Sequence, residues 1–533
     1  MTGNLSWIDY LILAGYLAGI LGLGLAVGRR ITTGKDYFLA GRRLPWWIIG
    51  TSLVATDIGG TDIIGVGGAA YSYGMAVGNF EWIGCIPAMI VAAFVFIPFF
   101  WRAGVYTIPE FMEKRFNAGV RSSLAFCWLV FMACNIGVML FASAKMAIHA
   151  FGLDVSEGFL HGRESELCIL VMAVIVGIYT LAGGLTAVVY TDVIQCLVMI
   201  GGCLIIVVMG VGELGGISGL FAKVQAVEQA QGGQIGNTGQ ICEHTALILP
   251  VDTRTPFPWT GIFFGLALIL SPAYWIGNQA IVQRSFGARS EFEAKAAYIW
   301  GALLKNLIPV VIAVPGLIAF AKFPDLVDGD NAFPVLVSTM LPIGLKGLFL
   351  AAFVAALMSS VDSYLNSAAT ILTNDLYKRF IHPQADERRL LFIGRLTTVI
   401  LIIWAVGFAI YISKIEGSGI YNIFQTLMAF FQGPALAMLL AGLLWPRANG
   451  MGALVGFVGG ILTCISLFTL SQQSVCRLLN LEPLFKIESP FLYFSIWGFL
   501  VAMVLIIVVS LSTRPEPDDK IRHFVYRRGS PIK

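Results

Sequence analysis

The sequence predicts an all-α polytopic membrane protein of about thirteen transmembrane helices, organised as a five-plus-five inverted repeat. Three observations predict it. The chain is 57% hydrophobic and 12% charged, against about 45–50% apolar and about 25% charged in soluble domains. Apolar runs of about 20 residues, each able to cross a hydrocarbon core of about 30 Å, recur from end to end. Two of those runs, five apart in order, are interrupted by glycine, proline and polar residues, as in transporters built from inverted repeats with broken helices.

The runs fall near 8–28, 46–70, 77–101, 122–150, 167–186, 191–212, 259–279, 297–321, 340–372, 390–413, 419–445, 451–471 and 491–513. The amino terminus, MTGNLSWIDY, has neither a basic region nor a small-residue cleavage site, so the first run is expected to be retained. The second run contains LVATDIGGTDIIGVG, where Asp57, Gly59 and Gly60 break the apolar pattern. The seventh, FFGLALILSPAYWIGNQ, is interrupted at Ser271 and Pro272 and again at Gly277. An odd offset of five spans places the two breaks in opposite orientations. The expected organisation is therefore one transporter domain over 1–533. It has an extra helix at 8–28, repeats at 46–212 and 259–445, two helices within 451–513 and a short tail at 514–533.

Charge placement orients the chain. The loops carrying Arg29, Arg30, Lys35, Arg42 and Arg43, then Arg102, Lys114, Arg115 and Arg121, then Lys378, Arg379, Arg388 and Arg389, all fall on one side. Arg284, Arg289, Lys295 and the basic tail after Arg514 join them, and the positive-inside rule puts that side in the cytoplasm, with the amino terminus outside the cell membrane. The net charge of +3 does not indicate a nucleic-acid partner. Nine cysteines, mostly within spans, suggest neither a disulfide framework nor a zinc site. The five histidines form no ligand cluster, and no nucleophile and base pair suggests an enzyme. The expected partners are the bilayer and a small-molecule solute, and a monomer is compatible with this reading.

A broken spanning helix leaves backbone groups that only protein, water or a ligand can satisfy. Unwound carbonyls suit a hard cation such as sodium, and half-helix amino termini suit an anionic or hydroxyl-bearing solute. Ionisable groups at such depth are costly, and Asp57, Asp62, Glu81, Lys305 and Asp362 are read as functional for that reason.

The segments DYFLAGRRLPWWIIGTSLVAT, GVYTIPEFMEKRFN, GGLTAVVYTDVIQ, WIGNQAIVQRSF and ALMSSVDSYLNSAATILTNDLYKRF resemble the sodium:solute symporter family, most closely its sodium/sugar cotransporter branch. The resemblance implies the leucine-transporter fold and alternating access driven by a sodium gradient, with no organic cofactor. It implies a sodium site of backbone oxygens from Ala55 and Ile58, the carbonyl of Ala356 and the hydroxyls of Ser359 and Ser360. Ala356, Ser359 and Ser360 are spaced i, i+3, i+4 and share a helix face, and five neutral oxygens suit a weakly held monovalent ion. A second cation near Asp192 is known in the family, and Asp362 is a candidate to join it, although Asp192 would equally serve as a surface helix cap. Solute-site residues carried over are Glu81, Asn135, Tyr274, Trp275, Lys305 and Gln425. Carboxylate, amide and ammonium converging on a cavity, with an aromatic face beside them, suit a polyhydroxylated ring.

Two positions depart from that branch, where Asp57 is usually asparagine and Asp62 a neutral residue or histidine. Asp57 is expected to strengthen cation attraction beside Ile58, and Asp62 to face the solute cavity. Three carboxylates facing one lysine imply either a protonated carboxylate or a cargo with positive charge. A sugar or cyclitol is the first expectation, with an amino sugar or other cationic solute as the alternative. A transporter-like sensor is a third reading, but it would usually append a signalling domain, whereas twenty residues follow Thr513.

Overall fold

The computed structural model describes residues 5–526 apart from 29–33, 152–162, 232–243, 254, 415–419, 480, 481, 483, 486, 488 and 523. Among the described residues there are two isolated β-bridges, Leu44 with Ala288 and Leu249 with Pro258, and the rest of the regular structure is helical. The principal helices are α1 (Trp7–Gly28), α2 (Trp46–Asp57), α3 (Gly60–Tyr73), α4 (Phe80–Ala103), α5 (Ala118–Phe151), α6 (Glu164–Glu213), α7 (Gly261–Gly277) and α8 (Gln279–Phe286). They continue with α9 (Glu291–Lys305), α10 (Ile308–Lys322), α11 (Leu345–Ile371), α12 (Glu387–Ile412), α13 (Ile420–Leu444), α14 (Gly450–Ser471) and α15 (Phe491–Ser512).

Ten described helices are long and apolar enough to cross a membrane, or eleven if the bent pair α7 and α8 is one span. The expected run 46–70 is divided into α2 and α3, of 12 and 14 residues, neither long enough alone. The runs expected separately at 167–186 and 191–212 are continuous in α6, whose part Leu185–Glu213 has the length of a crossing by itself.

The first interruption lies where it was expected. Ile58 and Gly59 have extended backbones between α2 and α3. In the seventh run the break expected at Gly277 is present, whereas the one expected at Ser271 and Pro272 is not. Helical structure passes through Ser271 and Pro272, and the 50° bend falls between Gly277 and Gln279. Pro272 follows the π-type turns of Gly261–Leu270 and stands in the first turn of the α-helical segment Ser271–Gly277, where a missing N–H is tolerated. Asn278 is extended, and its side chain accepts from the Ala280 amide at 2.9 Å, capping α8.

At the centre stands α11, in which every residue from Phe349 to Ile371 is buried. A helix buried on all sides must find internal partners for Ser359, Asp362, Ser363 and Asn366, and this dictates the polar character of its neighbours. Outward-facing side chains such as Phe94, Leu197, Val208 and Ile403 are apolar and exposed, as a lipid-facing surface requires.

Small residues set the helix spacing, since apolar burial contributes little between helices already in lipid. A Cβ on Gly316 of α10 would lie 2.3 Å from the Gly67 carbonyl of α3. Gly452, Gly456 and Gly460 form a small-residue row on α14, and a Cβ on Gly456 would meet the Ala502 carbonyl of α15 at 2.7 Å.

Polar ties fasten both ends of the bundle. At one end, Arg121 of α5 bonds Glu113 at 2.5 Å and Asp375 at 2.8 Å, and Arg379 bonds Glu113 at 2.9 Å. Burial raises the Glu113 carboxyl, but the Arg379 and Arg121 guanidinium groups outweigh it and hold it below the usual carboxylate range. Arg115 donates to the carbonyls of Gly442, Trp445 and Ala448 at 2.6–3.0 Å, covering the carboxyl end of α13. At the other end, Lys145 bonds Asp328 at 2.5 Å, and the Asp330 carboxylate receives the Ile420 amide at 3.1 Å, at the amino terminus of α13.

The close approach of α10 to α3 yields a direct expectation. Gly316→Val forces backbone displacement against the Gly67 carbonyl, an overpacking that costs about 1–3 kcal/mol. Thermal denaturation in detergent is expected to show a lowered midpoint for this variant, and an unchanged midpoint would refute the packing.

Candidate functional site

The break between α2 and α3 builds one side of the site. Ser360 of α11 lies against it, its hydroxyl donating to the Thr56 carbonyl at 2.9 Å. Gly59 is required there, because a Cβ would sit 2.7 Å from Ser360 Oγ. The Asp62 carboxylate in the first turn of α3 accepts from the Gly59 amide at 2.8 Å, so the broken strand is stitched to the half-helix that follows. Ala55, Ile58 and Ala356 are buried at this junction of α2 and α11.

Lys305 ends α9 and is fully buried. Its ammonium contacts Asp57 Oδ2 and Glu81 Oε2, and it lies 5.8 Å from the centroid of the Trp275 ring. Helix-terminal position favours the cation, and two carboxylates provide the pairing that burial demands. Asp57, Glu81 and Cys85 bring their polar atoms within 4.8 Å of one another, close enough to hold a metal ion. The ammonium occupies that role for the two carboxylates.

These groups border a cavity of about 60 Å³. Asp57 and Asp62 line it beside the break, Glu81 from α4, Tyr274 and Trp275 from α7, and Gln425 from α13. Ser271, Tyr421 and Gln432 also line it and were not anticipated from the sequence. Gln425 and Gln432 are seven residues apart on one helix, a spacing that places both on one face and could have signalled the second amide. Lys305 is not among the lining residues, and it meets the cavity through Asp57 and Glu81, which are. Asn135 does not line the cavity either. It is buried on α5 with no hydrogen-bond partner for its amide among the described residues. The Tyr274 hydroxyl lies 3.4 Å from that of Tyr364, which also receives Asn278 Nδ2 at 3.3 Å.

A second ionic centre lies behind the break. Asp192, for which a surface helix cap was one expectation, is fully buried within α6. Its carboxylate accepts from Ser52 at 2.5 Å, from Ser359 at 2.8 Å and from Arg284 Nη2 at 3.2 Å. Arg284, grouped with the loop charges in the sequence, is 1% exposed and sits on α8. It also donates to Ser52 at 2.7 Å and to Ser363. A carboxylate buried as deeply as Asp192 needs a cation, a demand that becomes visible only once its burial is known. Asp362, one turn beyond Ser359, is buried and receives the Ser363 hydroxyl at 3.2 Å.

The model of the sodium:solute symporter family matches residues 37–460. The chain belongs to the sodium:solute symporter family. Among its relatives, this symporter is 34% identical to the sodium/glucose cotransporter of Vibrio parahaemolyticus, over 97% of its own length and 92% of the relative's. It is 30% identical to sodium/myo-inositol cotransporter 2 of Homo sapiens, over 98% and 79% of the two chains. Among solved structures it resembles a substrate-bound, outward-open sodium-coupled sialic acid symporter with a TM-score of 0.77 and 22% identity, covering 96% and 99% of the two chains. It therefore has the leucine-transporter-like architecture and acts as a multi-pass membrane transporter for sodium-coupled solute import, not as an enzyme.

The double pairing of Lys305 carries a stability consequence. Lys305→Met strands Asp57 and Glu81 as buried charges and is expected to cost about 3–5 kcal/mol. The triple variant with Asp57→Asn and Glu81→Gln is expected to recover much of that loss. Unfolding midpoints in detergent measure both, and a single variant as stable as the parent chain would overturn the assignment.

Proposed function

We propose that this symporter imports a hexose or cyclitol together with sodium by alternating access. The single observation behind the reading is the cavity itself. Glu81, anchored by Lys305, faces Gln425 and the Trp275 ring across a space bordered by the broken helix. A carboxylate accepts from solute hydroxyls, an amide both donates and accepts, and an indole face covers the apolar side of a ring. The names of the glucose and myo-inositol relatives support the same class of cargo.

The coupling ion is placed at the α2 break, on the backbone oxygens of Ala55, Ile58 and Ala356 and the hydroxyls of Ser359 and Ser360. The position of Ser360 against Thr56 and Gly59 supports this site. Sodium held there fixes the angle between α2 and α3, and with it the positions of Asp57 and Asp62 on the cavity wall. Solute and ion thereby favour the same arrangement of one hinge, which is the coupling that symport requires. A second cation at Asp192 and Asp362 would share Asp192 with Arg284. The inverted repeats are taken as 46–212 and 259–445, with the amino terminus outside and the tail in the cytoplasm.

An amino sugar is the second reading. Asp57, Asp62 and Glu81 all line the cavity, while Lys305 supplies one compensating charge through its contacts with Asp57 and Glu81. A protonated amine on the cargo would balance the excess.

Counterflow in proteoliposomes with labelled hexoses, polyols and amino sugars tests the proposal. Sodium-dependent exchange of a neutral hexose or cyclitol is expected, and exchange without sodium dependence would refute it. Ser360→Ala is expected to raise the sodium concentration for half-maximal uptake, and an unchanged sodium titration would remove Ser360 from the ion site. Asp62→Asn is expected to weaken solute affinity with sodium affinity near that of the parent. A larger loss for amine-bearing than for neutral cargo selects the second reading.

A further inference from the structure

Gln432 is a polar group on the cavity wall to which the arrangement above gives no task. It is 1% exposed, and its Nε2 has no hydrogen-bond partner among the described residues. A buried amide donor is normally satisfied, and an unpaired one on a residue that lines a cavity calls for an acceptor from a ligand or water. Its neighbour Phe431 packs edge-on against Trp128 at 4.9 Å, so the adjoining face of α13 is already filled by aromatic contact. Gln432 shares the cavity face with Gln425 and lies two turns further along the helix, about 10 Å at 1.5 Å per residue.

The chemistry of the acceptor follows from the rest of the wall. Asp57, Asp62 and Glu81 line the same space, so a carboxylate or phosphate brought to Gln432 would meet like charge in a poorly screened environment. A neutral oxygen, such as a hydroxyl or ring ether, meets no such repulsion. Standing two turns apart on one face of α13, the two amides can each take a different part of the cargo.

From this we infer that Gln432 is a further solute-recognition residue, donating from Nε2 to a neutral oxygen on a different part of the solute from that met by Gln425. The inference rests on the reading of the cargo as a polyhydroxylated ring and adds a specificity contact to that site.

The test is sodium-driven uptake of labelled glucose and myo-inositol into proteoliposomes, with monodeoxy forms of each as competitors, for the parent chain, Gln432→Leu and Gln432→Met. Losing one neutral hydrogen bond is expected to raise KM about two- to tenfold in both variants, with half-saturation by sodium unchanged. In the parent chain, one monodeoxy competitor is expected to bind more weakly than its parent sugar or cyclitol, and in Gln432→Leu that difference should vanish. Gln432→Met keeps the side-chain length without a charge and supplies the reading if Gln432→Leu melts at a lower temperature. If every competitor keeps its rank in a folded variant, the amide serves water or packing and the inference is overturned, while the assignment of a polyol cargo stands. If the parent chain carries neither probe, the polyol reading falls and this inference falls with it.

Discussion

One ammonium group, Lys305 Nζ, sets the terms for the centre of this transporter. Fully buried, it is tolerable only because Asp57 and Glu81 both reach it. Those carboxylates belong to different elements, Asp57 to the last residue of α2 and Glu81 to the first turn of α4. Lys305 therefore fixes three helices at one depth, and both of its carboxylate partners line the cavity. The same demand explains why α2 stops at Asp57. A carboxylate at a helix terminus can turn toward a partner on a neighbouring helix while the next two residues run extended past Ser360.

The ion pair also bears on how sodium and solute communicate. Asp57 is adjacent to Ile58, a proposed sodium ligand, and shares Lys305 with Glu81, a proposed solute ligand. The sequence suggested that Asp57 would add its charge to the ion site, and its contact with Lys305 offsets part of that charge. The carboxylate thus stands between the two sites and acts on neither alone.

Much of this was legible in the residues, and the remainder was hidden for identifiable reasons. The break at Ile58 and Gly59 could be read because two glycines and two aspartates have no place in an unbroken spanning helix. The contact of Lys305 with Glu81 could be read because a buried ammonium demands a carboxylate. That Asp57 is the second partner could not, since the two residues are 248 positions apart and Asp62 had an equal claim on the lysine. Pro272 misled because proline usually breaks a helix, whereas preceding π-type turns accommodate it here and leave the bend to Asn278. Arg284 misled because a basic residue near the end of a span resembles a loop charge, and only its burial against Asp192 reveals its role. Gln432 gave only its seven-residue spacing from Gln425 as a signal, and that spacing carries no meaning until a cavity opens beside both.

The guanidinium of Arg284 has a consequence for speed. It joins Ser52 of α2, Asp192 of α6 and Ser363 of α11 from its own place on α8, so four helices share one charged knot sealed from solvent. The Asn278 cap means that swinging α8 about its bend need not sacrifice backbone hydrogen bonds. The resistance to such a swing resides in the side-chain knot, which must either travel intact or be opened in a medium that solvates charge poorly. A knot that travels intact ties α2, α6, α8 and α11 together at that point. A knot that opens adds the cost of separating buried charges to the barrier for such a swing.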